Sequence, residues 1–148
     1  MSTRKDKHRR VAAAFAVDMT LPVAPAQRID LGIAYYQSYA LLVEGRGTFD
    51  HWEALVGCVN VARVLAAQVF DDQLEHEITA GQLALVRMKD RHAQCGRWKF
   101  DDDGAAALWL ALQLHDGQLM LVTRGEMRAA VIECMRLRRA GSTYKEAA

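Results

Sequence analysis

The sequence predicts an all-α protein, a bundle of four or five helices preceded by a flexible basic N-terminal arm. Apolar residues recur every three or four positions, most regularly between residues 33 and 70, as one face of an amphipathic helix requires. The chain has only two prolines, both before residue 26, so no proline interrupts helices in the remainder. Because 148 residues can build a core without disulfides, we expect one helical domain over residues 26–148, after an arm and linker over residues 1–25.

The first 25 residues differ from the rest in charge. Five basic residues and one acidic residue occupy the first ten positions, which lack apolar anchors. An apolar run, Val-Ala-Ala-Ala-Phe-Ala-Val, follows at residues 11–17 and ends at Asp18. We interpret this run as a short helix rather than a secretory signal, because seven residues are the lower limit for the apolar region of a signal. Pro22 and Pro25 then predict a linker, since each proline disfavours helical geometry at the preceding residue.

Residues 33–70 predict a helical hairpin against which the rest of the chain packs. The first helix begins near Asp30 and ends at Glu44, and it contains three tyrosines within five residues. Gly45 and Gly47 allow the chain to reverse, and Thr48 supplies a cap for the second helix. The second helix has the clearest apolar stripe, formed by Trp52, Leu55, Val56, Val59, Ala62, Ala66 and Val69. Asn60 adjoins this stripe, and we interpret it as a hydrogen-bonding residue that fixes the register between helices.

A third helix is predicted from residues 71–73 to Gly96. Its inner row consists of Leu74, Ile78, Leu85, Met88, His92 and Cys95. A fourth helix, from Ala105 to about Val122, is apolar nearly all round, so we expect it at the centre of the bundle.

The last predicted helix runs from Arg124 to Arg139. Thr123 and Glu126 have the spacing of a capping box at its start, and Gly141 follows its end. The residues expected to face inward are Met127, Val131, Cys134 and Leu137.

Arginines on this last helix suggest one class of function, contact with nucleic acid. Beyond residue 10 the chain has 14 basic and 17 acidic residues, so any such function must rest on local patches. The candidate phosphate-contacting residues are Arg4, Arg9, Arg10, Arg124, Arg128, Arg136 and Arg139.

Catalytic and metal-binding patterns are scarce. His92 and Cys95 form an i, i+3 pair, which supplies two ligands where a structural zinc site needs four. His51, His76, His92 and His115 have no spacing typical of a metal motif, and no nucleophile or phosphate-loop motif is present. We therefore predict no enzyme, no catalytic residue, no metal and no cofactor. A metal-dependent enzyme on the bundle, using His92 or His115, is the remaining alternative.

Cysteine usage bears on the compartment. Cys58, Cys95 and Cys134 are odd in number and lie in helical contexts, which indicates reduced thiols rather than a disulfide framework. No stretch approaches the length of a membrane span. We therefore expect a cytoplasmic protein.

Two resemblances add to these expectations. Residues 131–148 resemble the leading part of a helix-turn-helix, but the sequence stops before a recognition helix. A longer set of segments runs through the chain over about residues 25–135, namely GxGT at 45–48, HW at 51–52, VNVA at 59–62, GRWxFD at 96–101, LHDxQL at 114–119 and RxE at 124–126. With these segments in this order, the chain resembles small uncharacterised proteins of proteobacterial plasmids and prophages, some of them labelled Fis-like regulators. The resemblance implies an origin in a mobile element and brings no catalytic residues, and Fis itself differs in ending with a complete helix-turn-helix.

The function expected from the sequence is therefore protein binding. A helical surface would act on a host or element protein, and the breadth of the apolar faces suggests a homodimer, although a monomer fits the sequence equally. The candidate contacts are Tyr35, Tyr36, Tyr39, Trp98 and Phe100. The alternative is a nucleic-acid-associated transcriptional regulator that uses the arginines named above.

Overall fold

The structure is a computed structural model that describes residues 19–141, so the predicted basic arm lies outside the described residues. Its helices are α1 (Pro25–Val43), α2 (Phe49–Val69), α3 (Glu75–Cys95), α4 (Gly104–Leu121) and α5 (Arg124–Arg139). Over the described range the chain forms these five helices and no strand, apart from an isolated bridge between Pro22 and Thr123. The predicted all-α class is confirmed.

Helix α2 is the element against which the other four helices pack. Ten of its 21 residues are buried, namely Trp52, Leu55, Val56, Cys58, Val59, Asn60, Ala62, Val64, Leu65 and Ala66. The expectation that α4 occupies the centre is wrong, because Trp109, Leu110, Met120 and Leu121 of α4 are exposed. Apolar residues all round a helix indicate burial only when every side has a partner, and α4 keeps one side open.

The helix boundaries follow local capping chemistry. α1 begins five residues before the predicted position because Pro25 occupies its first turn, where the missing N–H has no helical partner to lose. The bounds of α5 are those predicted, and its capping box is confirmed. The backbone N–H of Thr123 donates to Glu126 Oε2 at 2.8 Å, and the N–H of Glu126 donates to Thr123 Oγ1 at 3.1 Å.

The turns around α2 and α3 include one feature that the sequence pattern did not predict. The N–H of Thr48 donates to Nδ1 of His51 at 3.0 Å, so this histidine closes the first turn of α2. Asp71 and Asp72 both adopt left-handed geometry between α2 and α3, with φ of 50° and 59°. Gly96 ends α3 with φ of 71°, as a helix-terminating glycine is expected to do.

The inner face of α3 is only partly the predicted one. Ile78, Leu85 and Met88 are buried, whereas His92 is half-buried and Cys95 is exposed. The placement of Cys95 on the inner row was therefore wrong, because apolar spacing does not show where the packing partner ends.

Helices α3 and α4 are in close contact at Gly81. A Cβ atom added to Gly81 would lie 2.6 Å from Cβ of Ala111 and 3.5 Å from the carbonyl oxygen of Ala107. Gly117, on the exposed side of α4, has no atom within 4 Å of the equivalent position. The packing of α3 on α4 therefore depends on the absence of a side chain at residue 81.

We predict that Gly81→Ala lowers the free energy of unfolding by about 1–3 kcal/mol, because the added methyl group overpacks the contact with Ala111. Gly117→Ala, the matched control, should instead be neutral or raise it by roughly 0.5–1 kcal/mol through helix propensity. Urea denaturation monitored by circular dichroism measures both. Equal stability of the two variants would contradict the close contact.

Candidate interaction surface

Helix α5 is seated on the bundle with little burial. It packs chiefly on α2, and Ala130 is the one fully buried residue among its 16. Met127, Cys134 and Leu137 are half-buried and face the bundle as predicted. Val131 is exposed, so its assignment to the inward row was wrong. An amphipathic helix with so small a buried face leaves apolar side chains without a partner.

The outer face of α5 combines apolar residues with arginines. Val131, Ile132 and Met135 are exposed, Ile132 to 56% and Met135 to 51%. At 3.6 residues per turn these three share one side of the helix with Arg124, Arg128, Arg138 and Arg139. The face therefore has an apolar centre with two arginines toward each end, the distribution expected of a protein interface with a polar rim.

Two adjoining grooves lie beside this face, and together we call them the α5 groove. One lies between α1, α2 and α5 and encloses about 560 Å³. The other lies between α2, α3 and α5 and encloses about 360 Å³. Both are lined by Glu53, Gly57, Val61 and Val131. Gly57 leaves the floor open, because no atom lies within 4 Å of a Cβ atom added there.

Of the predicted nucleic-acid residues on α5, Arg124, Arg128 and Arg139 share the outer face, and Arg136 lies to one side of it. Arg124 and Arg128 line the α1 end of the α5 groove, whereas Arg136 pairs with Glu133 at 2.6 Å. That ion pair, chiefly its hydrogen bond, lowers the pKa of Glu133. Arg139 is exposed. Arg4, Arg9 and Arg10 lie outside the described residues.

Arg138 belongs to this surface although its position in the sequence does not single it out. Its guanidinium Nη2 donates to Glu53 Oε1 at 2.7 Å, which joins the end of α5 to the start of α2. Both residues line the groove between α2, α3 and α5. Periodicity describes positions on a single helix, so it could not select Arg138, whose partner Glu53 is 85 residues away in the sequence.

The predicted tyrosine contacts lie largely within the chain. Tyr36 donates its hydroxyl to Asp116 Oδ2 at 2.5 Å, and Tyr39 donates to the carbonyl oxygen of Ala105 at 2.9 Å. Both rings lie 5.2 Å from the ring of Trp109, centroid to centroid. Burial raises the pKa values of Tyr36 and Tyr39, and of Tyr35 beside them. These side chains join α1 to α4, and their role in binding a partner stays a prediction.

The two aromatic residues of the α3–α4 loop differ in exposure. Phe100 is only 8% exposed, so it offers little surface to a partner. Trp98 is half-buried and stacks on His92 with 4.0 Å between ring centroids and on Trp52 with 5.5 Å. Arg91 donates to the carbonyl oxygen of Phe100 at 3.0 Å and holds the loop against α3.

A second exposed apolar surface lies along α1 and α4. Ile29, Ile33, Trp109 and Met120 are exposed, Met120 to 66%, and we call them the α1–α4 surface. A shallow groove between the two helices is lined by Ile29, Ile33 and Met120, together with Arg28 and Asp116. The sequence pattern does not reveal this surface, because the apolar residues of α4 are equally expected of a core helix.

The four histidines within residues 19–141 lie in separate parts of the bundle. His51 caps α2, His92 stacks on Trp98, His76 is exposed and His115 is buried. Among the described residues, no group of three or more histidine, cysteine or acidic side chains could hold a metal ion. The geometry therefore brings together no candidate metal centre within residues 19–141.

His115 is a titratable side chain that α4 buries in the core of the bundle. It is 1% exposed, and its Nδ1 lies 3.0 Å from Gln118 Oε1. Because the amide nitrogen of Gln118 donates to the carbonyl oxygen of Ala62 at 2.9 Å, Oε1 must accept, and Nδ1 carries the proton. Nε2 is buried and has no hydrogen-bond partner among the described residues. Burial is the main cause of the lowered pKa of His115.

Asn60 has the register-fixing role that its position predicts. Its Oδ1 accepts a hydrogen bond from Gln82 Nε2 at 2.8 Å, and Gln82 Oε1 accepts one from Arg63 Nη1 at 3.2 Å. Asn60 and Gln82 are both buried, between α2 and α3. A shift of either helix would leave these amides unsatisfied, which is costly in a core.

Comparison of the chain with protein-family models, curated proteins and solved structures found no match. The resemblance described from the sequence therefore stays a prediction.

Within the described part of the chain, α2 is the one helix long and apolar enough to cross a membrane, and half of that segment is buried inside the bundle. A core helix of a soluble protein meets the same criteria.

We predict that the stability of the protein depends on pH through His115. Its folded-state pKa lies below the usual 6.5, so the unfolded state binds the proton more readily. The contribution of neutral His115 to the free energy of unfolding should be complete above about pH 6.5. It should decrease as the pH falls below that value, because the unfolded state then gains the proton. Urea denaturation across pH 5–8 measures this, with His115→Leu expected to lose that part of the dependence. An unchanged pH dependence in the variant would contradict the assignment.

Proposed function

We propose that the protein is a non-enzymatic binding protein that acts through a helical surface on a protein partner. The observation that carries the proposal is the exposed apolar centre of α5, formed by Val131, Ile132 and Met135 beside an open groove. Exposure of three large apolar side chains to water is unfavourable in free energy, and a partner that covered them would remove this cost. Our further proposals, a cytoplasmic location and an origin in a mobile element, rest on the sequence alone.

The chemistry of this surface favours an amphipathic helix with acidic flanks as the partner. The α5 groove supplies an apolar trough along two helices, which is the geometry that helix-in-groove recognition uses. The arginines on the outer face of α5 would meet carboxylates at the edges of such a helix. Gly57 in the floor would allow its side chains to approach the backbone of α2.

Self-association is the second part of the proposal, and the α1–α4 surface supports it better than the predicted aromatic residues do. Phe100 is buried, and Tyr36 and Tyr39 have their hydroxyls bonded within the chain. Ile29, Ile33 and Met120 are exposed and continuous across two helices. A patch of this kind, when paired with its own copy about a two-fold axis, would bury its apolar side chains in a homodimer.

The alternative function, a nucleic-acid-associated regulator, is supported by the arginines of α5. The outer face is less suited to it than a uniform basic face would be, because Val131, Ile132 and Met135 lie among the arginines. Phosphate contact predicts binding that weakens steeply as salt rises. Apolar contact in a groove predicts binding that tolerates salt. The salt dependence of any complex therefore distinguishes the two functions.

We predict that Ile132→Asp abolishes capture of a protein partner by the tagged full-length chain from an extract of its host. A carboxylate at residue 132 would place an unpaired charge in the apolar centre, and truncations at such centres commonly cost more than tenfold in affinity. Quantitative mass spectrometry of crosslinked complexes in 0.5 M salt, chosen to suppress phosphate contacts, measures the effect. Ala129→Asp is the matched control, since Ala129 is exposed on α5 but does not line the groove.

The control variant should retain the proteins that the wild type captures. Equal capture by the Ile132→Asp variant and the wild type would refute the role of the α5 face. Capture of nucleic acid alone, lost at the higher salt, would favour the alternative function.

We predict separately that Ile33→Asp converts a homodimer to a monomer. Each copy would bring the new carboxylate into the apolar contact, and a two-fold axis would double the effect. Native mass spectrometry at micromolar concentration measures the subunit number, and circular dichroism checks that the helices are retained. A wild-type protein that is monomeric under these conditions would remove the self-association part of the proposal.

A further inference from the structure

A further cavity lies beside the α5 groove, between α2, the start of α3 and the second half of α5. It encloses about 360 Å³, a volume typical of small-molecule sites. We call it the Asn60 cavity, and its lining includes Asn60, Arg63, Val64, Glu75 and Leu137. Asn60 also lines the adjoining groove between α2, α3 and α5, so this side chain lies where the two spaces meet.

The hydrogen bonds of the cavity floor fix which end of the Asn60 amide faces the cavity. A guanidinium group can only donate, so the atom of Gln82 that lies 3.2 Å from Nη1 of Arg63 must be the carbonyl oxygen. The amide nitrogen of Gln82 then points to Asn60 and donates to Oδ1 at 2.8 Å. Asn60 therefore uses its oxygen within the bundle and leaves its amide nitrogen, Nδ2, as the group that a ligand would meet.

Nδ2 of Asn60 is a donor without an acceptor. Asn60 is only 9% exposed, and within residues 19–141 its amide nitrogen makes no hydrogen bond. Over the same residues, three side-chain atoms are sealed from solvent without a partner, and Nδ2 is not one of them. The nitrogen is therefore accessible from the cavity. An unpaired amide donor in so buried a residue is unfavourable, and an acceptor on a ligand would satisfy it.

Opposite charges lie side by side at one wall of the cavity. The side chain of Arg63 is 18% exposed and that of Glu75 is 52% exposed, so the cation lies deeper than the carboxylate. Nη2 of Arg63 and Oε1 of Glu75 are 3.9 Å apart, too far for a hydrogen bond. Asp72 adds a second carboxylate at the exposed edge. A ligand with its anionic group directed inward and its cationic group directed outward would meet the opposite charge at each depth.

Aliphatic side chains form another part of the lining. Val64 is buried on α2, and Leu137 of α5 packs against the small hydrophobic cluster that contains it. Both line the cavity, so together they offer an aliphatic wall between the two helices. A short aliphatic group on a ligand would leave water together with this wall.

From these features we propose that the Asn60 cavity binds a small zwitterion, an α-amino acid with an aliphatic side chain. The carboxylate of the ligand accepts a hydrogen bond from Nδ2 of Asn60 and faces Arg63. Its ammonium group, which is adjacent to the carboxylate, faces Glu75. Its side chain lies against Val64 and Leu137. This site lies apart from the exposed apolar centre of α5, so the proposal is independent of the function proposed above.

Isothermal titration calorimetry of the full-length protein with L-leucine, L-isoleucine and L-valine tests the proposal. At least one of them should bind. The amide and the N-acetyl derivative of the amino acid that binds best should each bind more weakly by about tenfold or more, because each lacks one of the two charges. Asn60→Asp should weaken binding at least as much, because it keeps Oδ1 as the acceptor for Gln82 and replaces the donor with an oxygen that repels a carboxylate.

A second variant keeps the test decisive if Asn60→Asp does not fold, which circular dichroism shows. Ala67 lines the cavity and is exposed, so Ala67→Trp should block the entrance without entering the core and abolish binding. Ala93→Trp is the matched control, since Ala93 is exposed on a helix but does not line the cavity. The control should bind as the wild type does.

Four outcomes would overturn the proposal. They are no binding of the three amino acids at millimolar concentration, equal binding of either derivative, equal binding by a folded Asn60→Asp variant, and equal binding by Ala67→Trp. Ile132 does not line the Asn60 cavity, so Ile132→Asp should bind the amino acid as the wild type does. Loss of protein capture in that variant therefore leaves the amino-acid site intact, and each proposal can fail without the other.

Discussion

The packing of four helices on α2 is the constraint on which the rest of the structure depends. Its apolar side chains are distributed around the helix rather than along one stripe, so each neighbour finds a buried row to contact. The hydrogen bond from Trp52 Nε1 to the carbonyl oxygen of Leu85, 2.9 Å long, ties α2 to α3. The bond from Gln118 to Ala62 ties it to α4. Because α2 packs against the other four helices at once, each of those helices can leave one face exposed to solvent.

The uncovered faces of α4 and α5 are where the molecule departs from a closed bundle. A small domain normally covers its largest apolar side chains, and scattered exceptions need no explanation. Here the exceptions are grouped, along α1 and α4 on one side and along α5 on the other. This grouping is the reason why we propose both surfaces as interfaces. It also explains why an apolar composition of 51% is compatible with five helices of modest burial.

The sequence was sufficient for the fold class and for most helix boundaries, because capping residues and periodicity act locally. Thr123 and Glu126 specify the start of α5 through two hydrogen bonds between near neighbours. The same reasoning could not locate the surfaces. Whether Val131 or Leu110 faces a neighbour depends on where another helix ends, and no local pattern records that. The pair of Arg138 and Glu53 shows the same limit, since it joins distant parts of the chain. On the outer face of α5, the sequence singled out Arg124, Arg128 and Arg139 as nucleic-acid contacts, but it did not single out the exposed Ile132 and Met135 between them.

Helix α5 buries little of its surface on the bundle, and this affects the motions of the molecule. Lifting α5 from α2 would uncover Ala130 and part of the small cluster around Val64 and Leu65, whereas detaching α3 or α4 would expose much of the larger core. The free energy of a local opening grows with the apolar surface that the opening exposes to water, so α5 should open and close as a unit far more often than the whole chain unfolds. Helix α5 supplies one wall of each groove, so each groove is complete only while α5 is closed. The apparent affinity for any occupant is then the intrinsic affinity reduced by the closed fraction, which makes the stability of a single helix a control on binding.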